Sequence, residues 1–118
     1  MTRAKEPSDR VLADDVRATP LTRSQVPSPE VVEGMPEVGT IDLATYRENE
    51  IGIWEITAGT VTDVEADEVF LVLSGRGEVR FEDDSVVPIQ AGSLVRLHAG
   101  ERTCWTIHET LRKVYFLL

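Results

Sequence analysis

From residue 40 onward, apolar and polar residues alternate in short runs, and most of these runs end at Gly or Asp. The runs cover residues 51–58, 68–73, 78–82, 85–89, 94–97, 103–107 and 111–118. A period of two places successive side chains on opposite faces of a β-strand, and frequent turns between short strands are typical of antiparallel sandwiches and barrels. No helical period of similar length competes with this pattern. The sequence therefore predicts an all-β fold for this part of the chain.

The first 39 residues differ in composition from the rest. They hold five of the six prolines and no aromatic residue. A segment of this kind buries little apolar surface by itself. We therefore predict an extended or partly disordered N-terminal arm over residues 1–39 and a barrel over residues 40–118. Two other interpretations stay open, namely a short helix over residues 9–17 and a strand-like course of residues 26–38 along another subunit.

Charge and cysteine content exclude several classes of protein. The chain has 12 Lys plus Arg against 21 Asp plus Glu, which gives a formal net charge of -9. Nucleic acids and anionic membranes bind basic patches, so neither is expected as a partner. The single cysteine excludes a disulfide framework within the chain and a zinc site of several thiolates. A reducing compartment, the cytoplasm, is the expected location.

The spacing of the glycines is more specific. The run GTVTDVEADEVFLVLSG resembles the first motif of the cupins, in which a Gly, two His and a Glu precede a closing Gly, and GSLVRLHAGERTCWTI resembles the second motif. More narrowly, GIWEITAG, DEVFLVLSG, the Trp of ERTCW and the closing RKVYFLL resemble the small single-domain cupins related to ureidoglycine aminohydrolase and the ethanolamine-utilisation cupins. This resemblance implies a double-stranded β-helix, the jelly-roll barrel, with a ligand cavity at its mouth. It also implies a homodimer, for which residues 38–43 offer a strand that could extend the sheet.

The resemblance also indicates where the metal ligands of the family would lie. The two His positions of the first motif fall on Thr62 and Val64, the Glu position falls on Glu68, and the His position of the second motif falls on Thr103. A divalent transition metal needs three or four strong donors that converge on one point. One carboxylate and two hydroxyls are too weak a set, so we expect no metal and no cofactor at the usual place.

The predicted site surrounds Glu68. If the motif assignment holds, strand parity turns Thr103 and Trp105 inward on one strand and Lys113 and Tyr115 inward on the last one. A buried carboxylate needs a partner, and Lys113 is the expected one. The predicted catalytic residues are Glu68, Lys113 and Tyr115, and the predicted ligand-binding residues are Trp54, Phe70, Thr103 and Trp105. The structural alternatives are core packing for the tryptophans and a purely structural ion pair for Glu68 and Lys113.

Three functions stay open at this stage. The first is a cavity that binds a small organic molecule and isomerises, dehydrates, cyclises or hydrolyses it by acid–base chemistry without a tightly bound metal. The second is a non-catalytic binding or accessory protein on the same scaffold, and the third is a metal-dependent enzyme with atypical ligands. The acidic run Asp63, Glu65, Asp67 and Glu68 is expected to be mainly a solvated loop rather than a calcium site.

Overall fold

The computed structural model describes residues 10–118. These residues form nine β-strands and one 3-10 turn at Ser28–Glu30, and none of them lies in an α-helix. The strands are β1 Ser24–Gln25, β2 Val31–Glu33, β3 Glu37–Tyr46, β4 Asn49–Ile56, β5 Gly59–Val64, β6 Glu68–Phe81, β7 Val86–Gln90, β8 Leu94–Leu97 and β9 Arg102–Leu117. The all-β prediction is confirmed. Within this range, no helix is long and apolar enough to cross a membrane.

The short helix considered over residues 9–17 does not form in the described part of that segment. Residue 9 lies outside the described residues, and residues 10–17 contain turns, bends and irregular backbone. Val11 and Leu12 remain 58% and 49% exposed, so this segment does not bury an apolar helix face against the barrel.

All strands pair antiparallel in one sheet that curls into a jelly-roll barrel. One path through the sheet runs β1-β3-β4-β9-β5-β2, and β6 pairs with β7, β8 and β9. The two longest strands pair along most of their length, with Glu68 opposite Leu117 at one end and Phe81 opposite Thr103 at the other. These two strands therefore join the halves of the barrel and bring residues that are far apart in the sequence into one wall.

The long strands β6 and β9 differ from the sequence prediction, which breaks each of them into two. Pairing between them continues through residues 72–77 with shifts in register instead of ending at the glycine. Gly75 has a φ of 84°, and a Cβ built there would collide with the carbonyl oxygen of Thr110. Gly75 therefore lets β6 bend while it stays in contact with β9, and does not end the strand.

Inward-facing side chains fill the barrel. The buried apolar cluster comprises Ile56, Val61, Phe70, Val72, Val79, Ile89, Leu97, Trp105, Ile107, Leu111 and Tyr115. Along β6, every second residue from Glu68 through Phe70 to Val72 is buried. Glu68 is thus the first member of a row of side chains that otherwise belongs to the core.

The N-terminal segment lies against the barrel of its own chain. The buried guanidinium of Arg112 donates hydrogen bonds to the carbonyl oxygens of Val16 and Thr19 at 3.0 and 2.8 Å and to the carboxylate of Glu55 at 2.9 Å. These bonds hold the segment near the point where β1 begins. Val26 then packs against the core.

The strands of the N-terminal segment pair with other strands of the same chain. β1 pairs with β3, β2 pairs with β5, and the predicted dimer-extending strand 38–43 is part of β3, which pairs with β4. These pairings bring residues of the N-terminal segment to the mouth of the barrel. The division into an arm over residues 1–39 and a barrel over residues 40–118 stays a prediction.

Candidate functional site

The barrel encloses a cavity of about 330 Å³. Its polar lining consists of Glu30, Thr40, Thr62, Asp63, Glu65, Glu68, Lys113 and Tyr115, and both tryptophans of the chain, Trp54 and Trp105, also line it. Val26 and Pro27 of the N-terminal segment complete one side of the wall. Cavities of this size, with apolar walls and a few convergent polar groups, typically bind small organic molecules.

An ion pair between Glu68 and Lys113 forms part of the wall. The Nζ atom of Lys113 lies 2.6 Å from Oε2 of Glu68, and the two side chains are only 6% and 12% exposed, respectively. The same Nζ atom lies 4.8, 4.3 and 5.0 Å from the ring centroids of Trp54, Phe70 and Trp105. These distances allow cation–π attraction. The carboxylate and three aromatic rings thus replace water around the ammonium, and the contact predicted from strand parity is present.

A second carboxylate, Glu65, is buried in the same wall but is hydrogen-bonded only to neutral groups. Its Oε1 accepts hydrogen bonds from the hydroxyl of Thr103 at 2.7 Å and from the indole N–H of Trp105 at 3.0 Å. Burial raises the pKa of Glu65 above its ordinary value, and the two hydrogen bonds offset only part of this rise. The cavity therefore presents two carboxyl groups in different electrostatic environments.

The hydroxyl of Tyr115 donates a hydrogen bond to Oδ1 of Asp42 at 3.2 Å. Burial, followed by the interaction with Asp42, raises the pKa of Tyr115 to about 12, so the phenol stays protonated at neutral pH. In the described part of the chain, no hydrogen bond joins this hydroxyl to Glu68 or Lys113. Gly52 makes room for the ring, because a Cβ there would collide with the Tyr115 hydroxyl.

Of the four predicted ligand-binding residues, two line the cavity and two lie behind its wall. Trp54 and Trp105 line the cavity, whereas Phe70 and Thr103 do not. Phe70 is fully buried beneath the ammonium of Lys113, and Thr103 is hydrogen-bonded to Glu65. These two side chains therefore support the wall from behind and do not face a ligand.

The pairing of β5 with β9 turns a different row of β5 side chains inward from the one to which the His positions of the first cupin motif were assigned. Val61 pairs with the inward-facing Trp105 and is itself buried, whereas Val64 is 59% exposed. Cross-strand neighbours share a face of the sheet, so the inward row of β5 contains Val61 and Asp63. The assignment of the two His positions to Thr62 and Val64 is therefore wrong.

The barrel part of the chain matches a known family model. Residues 44–115 match the model of the EutQ-like cupin domain. The chain belongs to the EutQ-like cupin family. This match confirms the resemblance to the small ethanolamine-utilisation cupins and, with it, the predicted cupin barrel.

Solved structures of other cupins share the fold of this EutQ-like cupin. EutQ from Clostridium difficile superposes with a TM-score of 0.62 at 22% identity, covering 70% of this chain and 68% of that one. A putative ethanolamine utilization protein Q from Salmonella typhimurium LT2 gives 0.62 at 18% identity, covering 84% and 97%. Ectoine synthase from P. lautus gives 0.60 at 20% identity, covering 67% and 62%. At these identities the likeness is one of fold, and no curated protein sequence is similar enough to count as a match.

The side chains of this EutQ-like cupin do not fit a transition metal. Within residues 10–118, no three His, Cys, Asp or Glu side chains converge in a way that could hold a metal ion. Glu68, the acidic residue at a ligand position of the motif, is in contact with the ammonium of Lys113. A positive charge at that distance repels a metal cation and occupies the carboxylate oxygen that would bind it.

Glu65 and Asp42 belong to the site but are not among the residues predicted from the sequence. The prediction that Glu65 lies in a solvated loop is wrong, because its side chain is only 9% exposed. The alternation of side chains along β5 could have indicated the burial of Glu65. With Val61 turned inward, Asp63 follows on the same face, and so does Glu65 just after the end of the strand. Asp42 carries no such signal, since it lies on β3, outside both cupin motifs.

Replacing Glu65 with Gln should stabilise this cupin at neutral pH. A Gln carbonyl oxygen can accept the same two hydrogen bonds without a buried charge. Because the folded-state pKa of Glu65 is raised above its ordinary value of 4.5, the wild type loses stability as pH rises from that value through the folded pKa. The variant lacks this loss, so its Tm should exceed that of the wild type by a few degrees at about pH 8 and converge with it near about pH 4. Glu48→Gln, at an exposed turn, is the control, and a Tm difference independent of pH would contradict the prediction.

Proposed function

We propose that this cupin binds a small organic molecule in its cavity and catalyses an acid–base reaction on it without a tightly bound metal. The observation that carries the proposal is the presence of two carboxyl groups in one wall, Glu68 beside an ammonium and Glu65 beside neutral donors only. Carboxyl groups in unlike environments can serve one as base and the other as acid. Isomerisation, dehydration, cyclisation and hydrolysis are reactions that such a pair can catalyse.

Each wall residue has a role in this proposal. Glu68 is the base, because its carboxylate lines the cavity beside the ammonium of Lys113. Glu65 acts as the acid once it has taken up a proton, which its raised pKa favours, and it binds a cation in its ionised form. The hydroxyl of Tyr115 stays protonated and supplies a hydrogen-bonding group, and the rings of Trp54 and Trp105 flank the bound molecule.

One observation favours the second candidate, a non-catalytic binding protein. The Glu68–Lys113 pair is short and almost fully enclosed, and structural ion pairs have the same properties. Ectoine synthase, by its name an enzyme, shares the cupin fold at 20% identity. That likeness concerns the fold alone, so it does not decide between the two candidates.

A ligand screen followed by a turnover assay tests the proposal. Small metabolites are ranked by the rise in Tm, hits are placed by structure determination, and each hit is incubated with the protein and followed by NMR. We expect a hit in the cavity that is converted, and we expect Glu68→Gln to slow conversion at least about 100-fold while binding persists. Glu48→Gln should convert the hit at the wild-type rate.

The possible outcomes separate the candidates. Conversion that survives in both Glu68→Gln and Glu65→Gln would refute the catalytic roles. A molecule that binds in the cavity and is never converted would favour the non-catalytic candidate. Hits that bind only outside the cavity would contradict both candidates.

A homodimer in the cytoplasm belongs to the same proposal. The sheet path ends at the short strands β1 and β2, whose outer edges are covered by no other strand of the described residues, and a symmetric partner would protect such edges. Sedimentation equilibrium should give twice the chain mass of 13.1 kDa, and a monomer mass would contradict the dimer. Cell fractionation checks the location.

A further inference from the structure

The cavity wall carries more negative than positive charge. Its acidic side chains are Glu30, Asp63, Glu65 and Glu68, and its only basic side chain among the described residues is Lys113. Lys113 and Glu68 are in contact, so their charges largely cancel. No salt bridge within residues 10–118 involves the other three carboxylates. The cavity therefore keeps a surplus of negative charge.

One carboxylate oxygen in the wall is available to a ligand. Oε1 of Glu65 accepts both hydrogen bonds, from Thr103 and Trp105, and no donor among the described residues contacts Oε2. Every fully buried side-chain polar atom in the described part of the chain has a hydrogen-bond partner. Oε2 of Glu65 is therefore not fully buried. Because Glu65 lines the cavity and only 9% of its surface is exposed, this oxygen faces the cavity.

The remainder of the wall is apolar. Apart from Thr40, Thr62, Tyr115 and the two tryptophans, it consists of Val26, Pro27, Val38, Ile56, Val61 and Leu117. An apolar molecular body would gain from burial against these side chains. A positively charged nitrogen on that body would gain a charge-assisted hydrogen bond to Glu65 in a site of low dielectric constant. A carboxylate on the same body would instead be desolvated beside like charges.

We infer that the cavity binds small organic cations, such as a primary amine on a compact apolar body, in preference to neutral and anionic molecules of the same shape. This inference rests on the proposed function, because it names the ligand class of the same cavity. The net charge of -9 on the chain acts in the same direction, since it raises the local concentration of cations.

Three probes of nearly equal shape test the preference: benzylammonium, benzyl alcohol and benzoate. Both tryptophans of the chain line the cavity, so their fluorescence reports binding directly, and calorimetry provides an independent affinity. We expect benzylammonium to bind about tenfold more tightly than benzyl alcohol, the factor expected for one charge-assisted hydrogen bond, and benzoate to bind most weakly. Glu65→Gln should remove most of the cation preference and leave the affinity for benzyl alcohol unchanged.

Glu48→Gln removes the same charge at an exposed turn and should leave all three affinities unchanged. If benzyl alcohol or benzoate binds most tightly, or if Glu65→Gln keeps the full cation preference, the inference is overturned while small-molecule binding stands. If none of the three probes binds at about 10 mM, the upper range of weak fragment affinities, the cavity itself fails as the proposed binding site.

Discussion

Replacement of Lys113 with Met should lower the free energy of unfolding by about 3–5 kcal/mol, because it leaves the buried carboxylate of Glu68 without its partner. Met keeps most of the length of the side chain and can pack against the same rings, but it carries no charge. The side chains of the pair are 6% and 12% exposed, so water cannot easily replace the lost ammonium. Urea unfolding at neutral pH measures the change, provided that the m-value stays the same.

Two controls separate the buried charge from other effects of the substitution. Arg76→Met removes one partner of the Arg76–Glu109 pair, whose side chains are 58% and 63% exposed, and should cost less than about 1 kcal/mol. The double variant Glu68→Met/Lys113→Met should recover most of the lost stability, because both charges are then gone. If Lys113→Met costs no more than Arg76→Met, the buried ion pair does not hold the wall together.

Gly75→Ala should lower the free energy of unfolding by at least about 3 kcal/mol, because backbone strain and a steric collision act together. The φ of 84° disfavours any side chain, and the added Cβ would collide with backbone atoms of Thr110 and Leu111. Backbone atoms of a paired strand cannot rotate away as a flexible side chain can. The two longest strands would therefore have to separate at their bend, and thermal or urea unfolding would detect the loss.

Gly100→Ala is the matched control for this substitution. Gly100 has a similar φ of 86°, but nothing lies within 4 Å of a Cβ built there. The free energy of unfolding of this variant should fall only by the cost of placing Ala in the left-handed conformation, about 1–2 kcal/mol. Equal losses in the two variants would show that the close approach of β6 and β9 adds nothing to the requirement for glycine at position 75.

The site and the bend depend on the same two strands. Glu68 lies at the start of β6, and Lys113 lies in the second half of β9. The regular pairing of residues 68–72 with residues 113–117, on one side of the bend at Gly75, fixes the distance between the carboxylate and the ammonium. The cation beside Glu68 is consequently a side chain of the chain itself.

The period-two pattern was sufficient to predict the fold class and part of the site. Alternation is a local property of the chain, so it locates strands such as Leu94–Leu97 without knowledge of their partners. Within one strand it also shows which side chains share a face. The resemblance to the cupin motif placed Glu68 inward, parity placed Lys113 on one row with Tyr115, and the cost of a lone buried charge then predicted the contact between Glu68 and Lys113.

The register between strands was less accessible to sequence reasoning. One residue of slip moves every side chain to the other face, so the assignment of the inward row to Thr62 and Val64 failed, and Glu65 was placed in solvent. Its burial depends on hydrogen bonds to Thr103 and Trp105, which are 38 and 40 residues away. No local pattern contains that information.

By itself, the sequence determined an all-β chain, because alternation and turn glycines act locally. Its resemblance to the cupin motifs added the barrel type and an inward Glu68, for which the burial cost of a lone charge predicted a partner in Lys113. Only the tertiary structure decided three other features. They are the buried second carboxylate at Glu65, the bond between Tyr115 and Asp42, and the use of Val26 and Pro27 as cavity wall. Each of these features depends on which distant strands pair and in what register. The burial of apolar surface over the whole barrel determines those pairings.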